Sequence, residues 1–299
     1  MSLLLALALQ VGPNPLGGAM PGDDLVRDRP ARRDGAAAPD AGLTSAWFEG
    51  CLAQLEADPA RANAMAQIRR AETTGTDRVL ANLCLGTASS QLGLWDEART
   101  AFAAARAETP EDETRARARF AALAGNAALA SGDAAGALEL LTLAERDARA
   151  AKAETLEAIA AIDRARALVA LEREDEALAA LESATTLAPE RAEGWLLKAT
   201  LLRRMEKLAE AQAAIERAAA LTPKDAEIGV EAGVIALLSG RYEAARASWR
   251  SVVELAPDGP FAATARQYLA QLDEASESEA TQVPPPAPPP PPAPQEQPR

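Results

Sequence analysis

No histidine occurs among the 299 residues of the chain, which removes the side chain most often used as a general acid or base and as a transition-metal ligand. Cys51 and Cys84 are its only thiols. In an exported protein such a pair can close a disulfide, here around a loop of about 30 residues, and stabilise the fold by a few kcal/mol. The alternative is two buried thiols packed as small apolar groups. Neither a glycine-rich phosphate loop ending in Gly-Lys-Ser/Thr nor a Gly-x-Ser-x-Gly elbow is present. Carboxylates are abundant but interspersed with arginines, as in Glu145-Arg146-Asp147-Ala148-Arg149 and Glu172-Arg173-Glu174-Asp175-Glu176. At helical spacing these are pairs on a solvated surface, not acid/base couples. The residue types therefore argue against an enzyme, and neither a metal nor a cofactor is expected. A net charge of −13 with no basic run argues equally against a nucleic-acid partner.

What the chain has instead of a reaction centre is a period. Three sets of residues keep one register: Gly86, Gly125, Ala165, Ala199 and Gly233; Ala98, Ala137, Ala177, Ala211 and Ala245; and Ala105, Ala144, Ala184, Ala218 and Val252. The internal offsets are 12 and 7 residues in every unit, and the last three units follow one another at 34 residues. Between the second and third sets stands a bulky side chain: Phe102, Leu141, Leu181, Ile215 and Trp249. Two closely crossing helices need small residues where their backbones meet and a large one to fill the wedge beside them. Gly93, Gly132 and Gly240 lie where a first helix must turn into a second, a left-handed position that glycine takes without strain, and Glu172 and Glu206 stand there in the other units. Pro110, Pro189, Pro223 and Pro257 close four units, with Arg149 in that place in the other. These prolines are expected at the start of the following helix, where a missing N–H is harmless. Thr109-Pro110-Glu111-Asp112 and Thr222-Pro223-Lys224-Asp225 read as helix N-caps with a reciprocal acid.

These residues resemble the tetratricopeptide repeat family, with Trp195 matching its aromatic near the start of a first helix. The resemblance covers residues 79–259, in units 79–112, 118–151, 158–191, 192–225 and 226–259, with short insertions after the first and second. Where the family often carries a ring in the first helix, this chain has Ser89, Ala128, Leu168, Leu202 and Ala236. The resemblance implies an all-α, right-handed superhelical solenoid of antiparallel helix pairs that binds a peptide or protein partner. It also implies that the first helix of each pair lines the concave face. That places Leu83, Thr87, Asn126, Ile162, Arg166, Leu196, Thr200, Arg203, Val230 and Val234 on or near a partner-binding groove, with Asn126, Arg166 and Arg203 as the polar points that would fix an extended peptide or a carboxylate.

The flanks are read from composition. Residues 1–19 contain the run Leu3 to Leu9, too short to span a bilayer and suited to a signal-peptide core, with Gly17 and Ala19 as small residues before a cleavage site; no Lys or Arg precedes it. This points to a periplasmic or secreted protein, with the cytoplasm as the alternative. Residues 20–43 read as a flexible linker, 44–78 as a degenerate helical cap carrying Cys51, 260–275 as a capping helix, and 276–299 as a disordered, proline-rich tail. The functional expectation is a non-catalytic protein-interaction scaffold in a bacterial envelope assembly. A self-associating assembly protein, or an accessory subunit of an envelope enzyme, would carry the same repeats.

Overall fold

The structure, a computed structural model, describes residues 45–282, with side chains to Glu274. Those residues form thirteen α-helices and no strand; the segments read from composition as signal peptide and linker, and the proline run, lie outside them. An N-terminal pair, α1 (Ala46–Ala57) and α2 (Pro59–Glu72), leads into five hairpins: α3 (Thr76–Gln91) with α4 (Trp95–Glu108), α5 (Thr114–Ala130) with α6 (Ala134–Ala150), α7 (Glu154–Ala170) with α8 (Glu174–Leu187), α9 (Ala192–Arg204) with α10 (Leu208–Leu221), and α11 (Ala226–Leu238) with α12 (Tyr242–Leu255). Helix α13 (Pro260–Gln282) closes the array. It runs on past residue 276, where composition alone begins the tail.

The five hairpin turns share one hydrogen-bonding scheme. In the first, the Gly93 N–H donates to the Ser90 carbonyl and the Leu94 N–H to the Ser89 carbonyl, and the same two bonds recur around Gly132, Glu172, Glu206 and Gly240. Each central residue has positive φ, including 59° at Glu172 and 60° at Glu206. This is the Schellman arrangement, which satisfies the last carbonyls of the first helix. For an L-residue the left-handed conformation costs about 1–2 kcal/mol. Glu206→Gly is therefore expected to stabilise the protein by about 1 kcal/mol, read as a higher midpoint in urea denaturation with unchanged slope.

Two local expectations are corrected. Pro110, Pro189, Pro223 and Pro257 do not open helices; each directly follows the C-cap residue of a second helix and stops it. Thr109 and Thr222 are those C-caps, and their hydroxyls donate backwards to the carbonyls of Ala105 and Ala218. The N-cap of α11 is Asp225, whose carboxylate accepts from the N–H groups of Glu227 and Ile228. Where Arg149 replaces the proline, α6 continues to Ala150 and is 17 residues long, against 14 for α4. The insertions add helix as well: α5 and α7 each have 17 residues, against 13 for α9 and α11.

The wedge is built as the spacing requires. A β-carbon at Gly86 would stand 2.5–2.8 Å from three ring atoms of Phe102, and one at Gly125 would stand 2.6 Å from Leu141 Cγ. Gly233 lies closer still under Trp249, whose indole N–H donates to the Val230 carbonyl at 3.1 Å. In the third and fourth hairpins Ala165 and Ala199 share a core with Leu181 and Ile215. At the C-terminal end the core continues into α13 through Ala265, Tyr268 and Leu272, with the Tyr268 ring centroid 5.1 Å from that of Trp249. At the other end Cys51 of α1 and Cys84 of α3 form a disulfide with Cα atoms 6.3 Å apart.

Helices pack in chain order, each on the next. In addition α5 meets α7, and α9 meets α11, while no two second helices come into comparable contact. In these two places the first helices sit closer together than the second helices do, which curves the stack there with the first helices inside.

Candidate functional site

The inner face is divided into an open and a sealed half. Leu83 and Thr87 of α3 are half-buried, Asn126 of α5 is exposed and Arg166 of α7 is half-buried. The other six residues expected in the groove are not available to a partner. Ile162, Leu196, Thr200, Arg203, Val230 and Val234 are all buried. The apolar members belong to the cores between helices, Leu196 with Ile215 and Ile228, and Val230 and Val234 with Trp249. The Thr200 hydroxyl donates to the Leu196 carbonyl, one turn back.

The two arginines expected to meet a ligand carboxylate are already committed. Arg203 Nε donates to Glu231 Oε1 at 2.7 Å, with the two side chains 5% and 3% exposed. Arg166 bridges Asp163 on its own helix and Glu193 on α9, and Asp163 accepts from the Asn126 amide at 2.9 Å. Burial pushes the Asp163 carboxyl above its usual range, against the opposing pull of Arg166 and the Asn126 amide. Burial draws the Arg166 guanidinium down, but its two carboxylates together outweigh that and hold it firmly charged. A polar ladder thus ties α5, α7, α9 and α11 side by side, and its charges face one another. A further rung on the outer helices, Arg106 of α4 with Asp147 of α6, does the same.

The profile of the tetratricopeptide repeat family matches residues 162–211 and 196–260, the stretch from α7 to α12 in which the hairpin, the left-handed turn and the small-against-large wedge recur in register. Residues 162–260 are a run of tetratricopeptide repeats. Among solved structures, MamA from Desulfovibrio magneticus RS-1 (residue 41 to the end) superposes with a TM-score of 0.51 at 16% identity, covering 61% of this chain and 97% of that one. A double mutant of MamA RS-1 gives 0.50 at 17% identity, with 59% and 93% covered. YrrB, described as a TPR protein with an unusual peptide-binding site, gives 0.47 at 19% identity, with 63% and 92% covered. At these identities the likeness is one of fold. No curated protein matches the sequence.

In this repeat protein the accessible inner surface centres on α5, where Arg115, Leu123, Asn126 and Ala130 are exposed along one side and Arg119 between them is half-buried. Leu123 is 38% exposed, and the half-buried Leu83 and Ile159 extend the apolar surface onto α3 and α7. Asn126 donates one amide hydrogen to Asp163, and an amide carbonyl oxygen can accept as well. Such a surface can hold an extended segment by apolar contact and amide pairing; it brings no nucleophile and base together. Among the described residues no cluster of His, Cys, Asp or Glu is arranged to hold a metal ion, and no helix is long and apolar enough to cross a membrane.

Leu123, Arg115 and Ile159 were missed by spacing alone. Leu123 shares its register position with Asp163 and Glu231, two residues before the small residue of each unit. Two acids in that column, paired with Asn126 and Arg203 of the preceding first helix, are the signal that could have marked it as facing a neighbour.

Proposed function

We propose that this array is a non-catalytic scaffold that holds a peptide segment or a partner protein on the open part of its inner face, formed by α3, α5 and α7, within a bacterial envelope assembly. The observation that carries the reading is the exposed Leu123–Asn126 stripe of α5, in an array where Ile162, Leu196, Thr200, Arg203, Val230 and Val234 are all buried. A preformed curved surface lowers the ordering cost of its ligand, and apolar contact supplies most of the affinity. Export is supported by the buried Cys51–Cys84 disulfide, a bond characteristic of oxidising compartments, together with the apolar run near residue 1.

The test is crosslinking of the full-length chain in its native host, followed by identification of what is attached. Leu123→Asp should abolish capture of envelope proteins while leaving circular dichroism and the urea midpoint within about 0.5 kcal/mol of wild type, as for a surface change. Undiminished capture by that variant would refute the site, and capture of cytoplasmic proteins alone would refute export.

One observation favours self-association as a second reading. The first hairpin turn is Leu92-Gly93-Leu94-Trp95, with all three large residues exposed, where the second and fifth read Ser131-Gly132-Asp133-Ala134 and Ser239-Gly240-Arg241-Tyr242. Sedimentation at several concentrations separates the readings, since a scaffold that awaits a partner stays monomeric when purified alone.

A further inference from the structure

Helix α1 is fastened to the array by a covalent bond more than by packing. Of its 12 residues only Phe48, Cys51 and Leu55 are buried, whereas α5 buries ten. A helix of this length has little stability of its own. The burial of Phe48 and Leu55, with the half-buried Trp47 packed beside them under the Arg69 guanidinium of α2, must compete with the ordering of the whole segment, so the balance without the bond is close to even. Chain continuity helps little, because α1 is joined to α2 through the single residue Asp58, which is C-cap to one and N-cap to the other. The disulfide instead ties the middle of α1 to Cys84 of α3, a helix held from the other side by α4. Both cysteines are 0% exposed.

We propose that the Cys51–Cys84 bond is a redox lock on α1: a dithiol reductant that opens it releases α1 from the array while the hairpins from α3 to α12 stay folded. A thiolate of the dithiol attacks one sulfur of the pair and expels the other as a thiolate. The second thiol of the reductant then displaces the first cysteine. Two electrons pass to the pair, the reductant leaves as a disulfide, and two protons end on Cys51 and Cys84. Because both sulfurs are buried, α1 must open locally around the intact bond before a thiolate can reach it, and the rate of that opening limits the reaction at high reductant concentration. Release uncovers Ala62, Ala66, Leu80, Cys84 and Ala88, the apolar surface of α2 and α3 that shares a core with α1. Reoxidation requires α1 to return to that surface.

Hydrogen exchange on the full-length chain, read by mass spectrometry with and without dithiothreitol, tests the lock. Amides of residues 46–57 should exchange at least about tenfold faster after reduction, with those of α5 to α12 unchanged. The Cys51→Ala/Cys84→Ala variant should behave in the same way without reductant. The rate of reduction should level off as dithiothreitol is raised. Equal protection of α1 in the oxidised and reduced chains would overturn the proposal, as would loss of protection throughout the array. A reduction rate that climbs in proportion to dithiothreitol without levelling would show that the bond is reached without any local opening of α1, and would overturn the shielding on which the lock depends.

Discussion

Arg203→Glu is expected to destabilise the array by about 5 kcal/mol, a large share of the 5–15 kcal/mol available to a folded domain. Removing one partner of a buried ion pair costs about 3–5 kcal/mol because the other charge is left without compensation. Here the replacement also sets two carboxylates against each other at a site where both native side chains are at most 5% exposed, so solvent screening offers little relief. Urea denaturation followed by circular dichroism should show a sharply lower midpoint. The paired change Arg203→Met/Glu231→Leu should recover most of the loss, because an apolar pair of similar volume replaces a buried ion pair at little net cost. If Arg203→Glu left stability unchanged while reducing partner capture, the arginine would be accessible after all and the division of the inner face would be wrong.

The second large effect is expected at the wedge of the first hairpin. Gly86→Ala gains about 1 kcal/mol of helix propensity, but its methyl group would stand 2.5–2.8 Å from three atoms of the Phe102 ring, itself buried and unable to retreat. Overpacking of that kind costs about 1–3 kcal/mol and occasionally more, and three sub-contact distances on a rigid ring put this site at the upper end. A net loss of about 2 kcal/mol should follow. Adding Phe102→Leu converts the hairpin to the Ala165 with Leu181 combination of the third unit, so the double variant should show a favourable coupling of about 1–3 kcal/mol in a double-mutant cycle. Simple additivity would mean that the glycine and the ring are not in contact.

The same glycine shows why the fold was legible. Gly86 and Phe102 lie 16 residues apart, and the same interval separates Gly125 from Leu141 and Gly233 from Trp249. One hairpin of fixed turn length makes that interval mean contact in every unit. The turns were legible for a related reason: positive φ at Glu172 and Glu206 follows from their alignment with Gly93, Gly132 and Gly240. The prolines were placed in the right segment but given the wrong neighbour, because a residue that cannot continue a helix can equally end one or begin one. Only the backbone after Thr109 and Thr222 decides between these.

Sequence by itself determined the all-α class, the repeat register, the small-against-large wedge and the left-handed turns, since all of these arise within a single hairpin or between partners at a constant interval. Tertiary structure alone decided which inner positions are open. Arg166 finds Glu193 27 residues on, Arg203 finds Glu231 28 on, and Asn126 finds Asp163 37 on. Those intervals change with every extra helical turn that the insertions add. Accessibility of an inner-face side chain depends on how closely the neighbouring first helix approaches and which charge it presents, and neither is fixed by the residue's own place in the period.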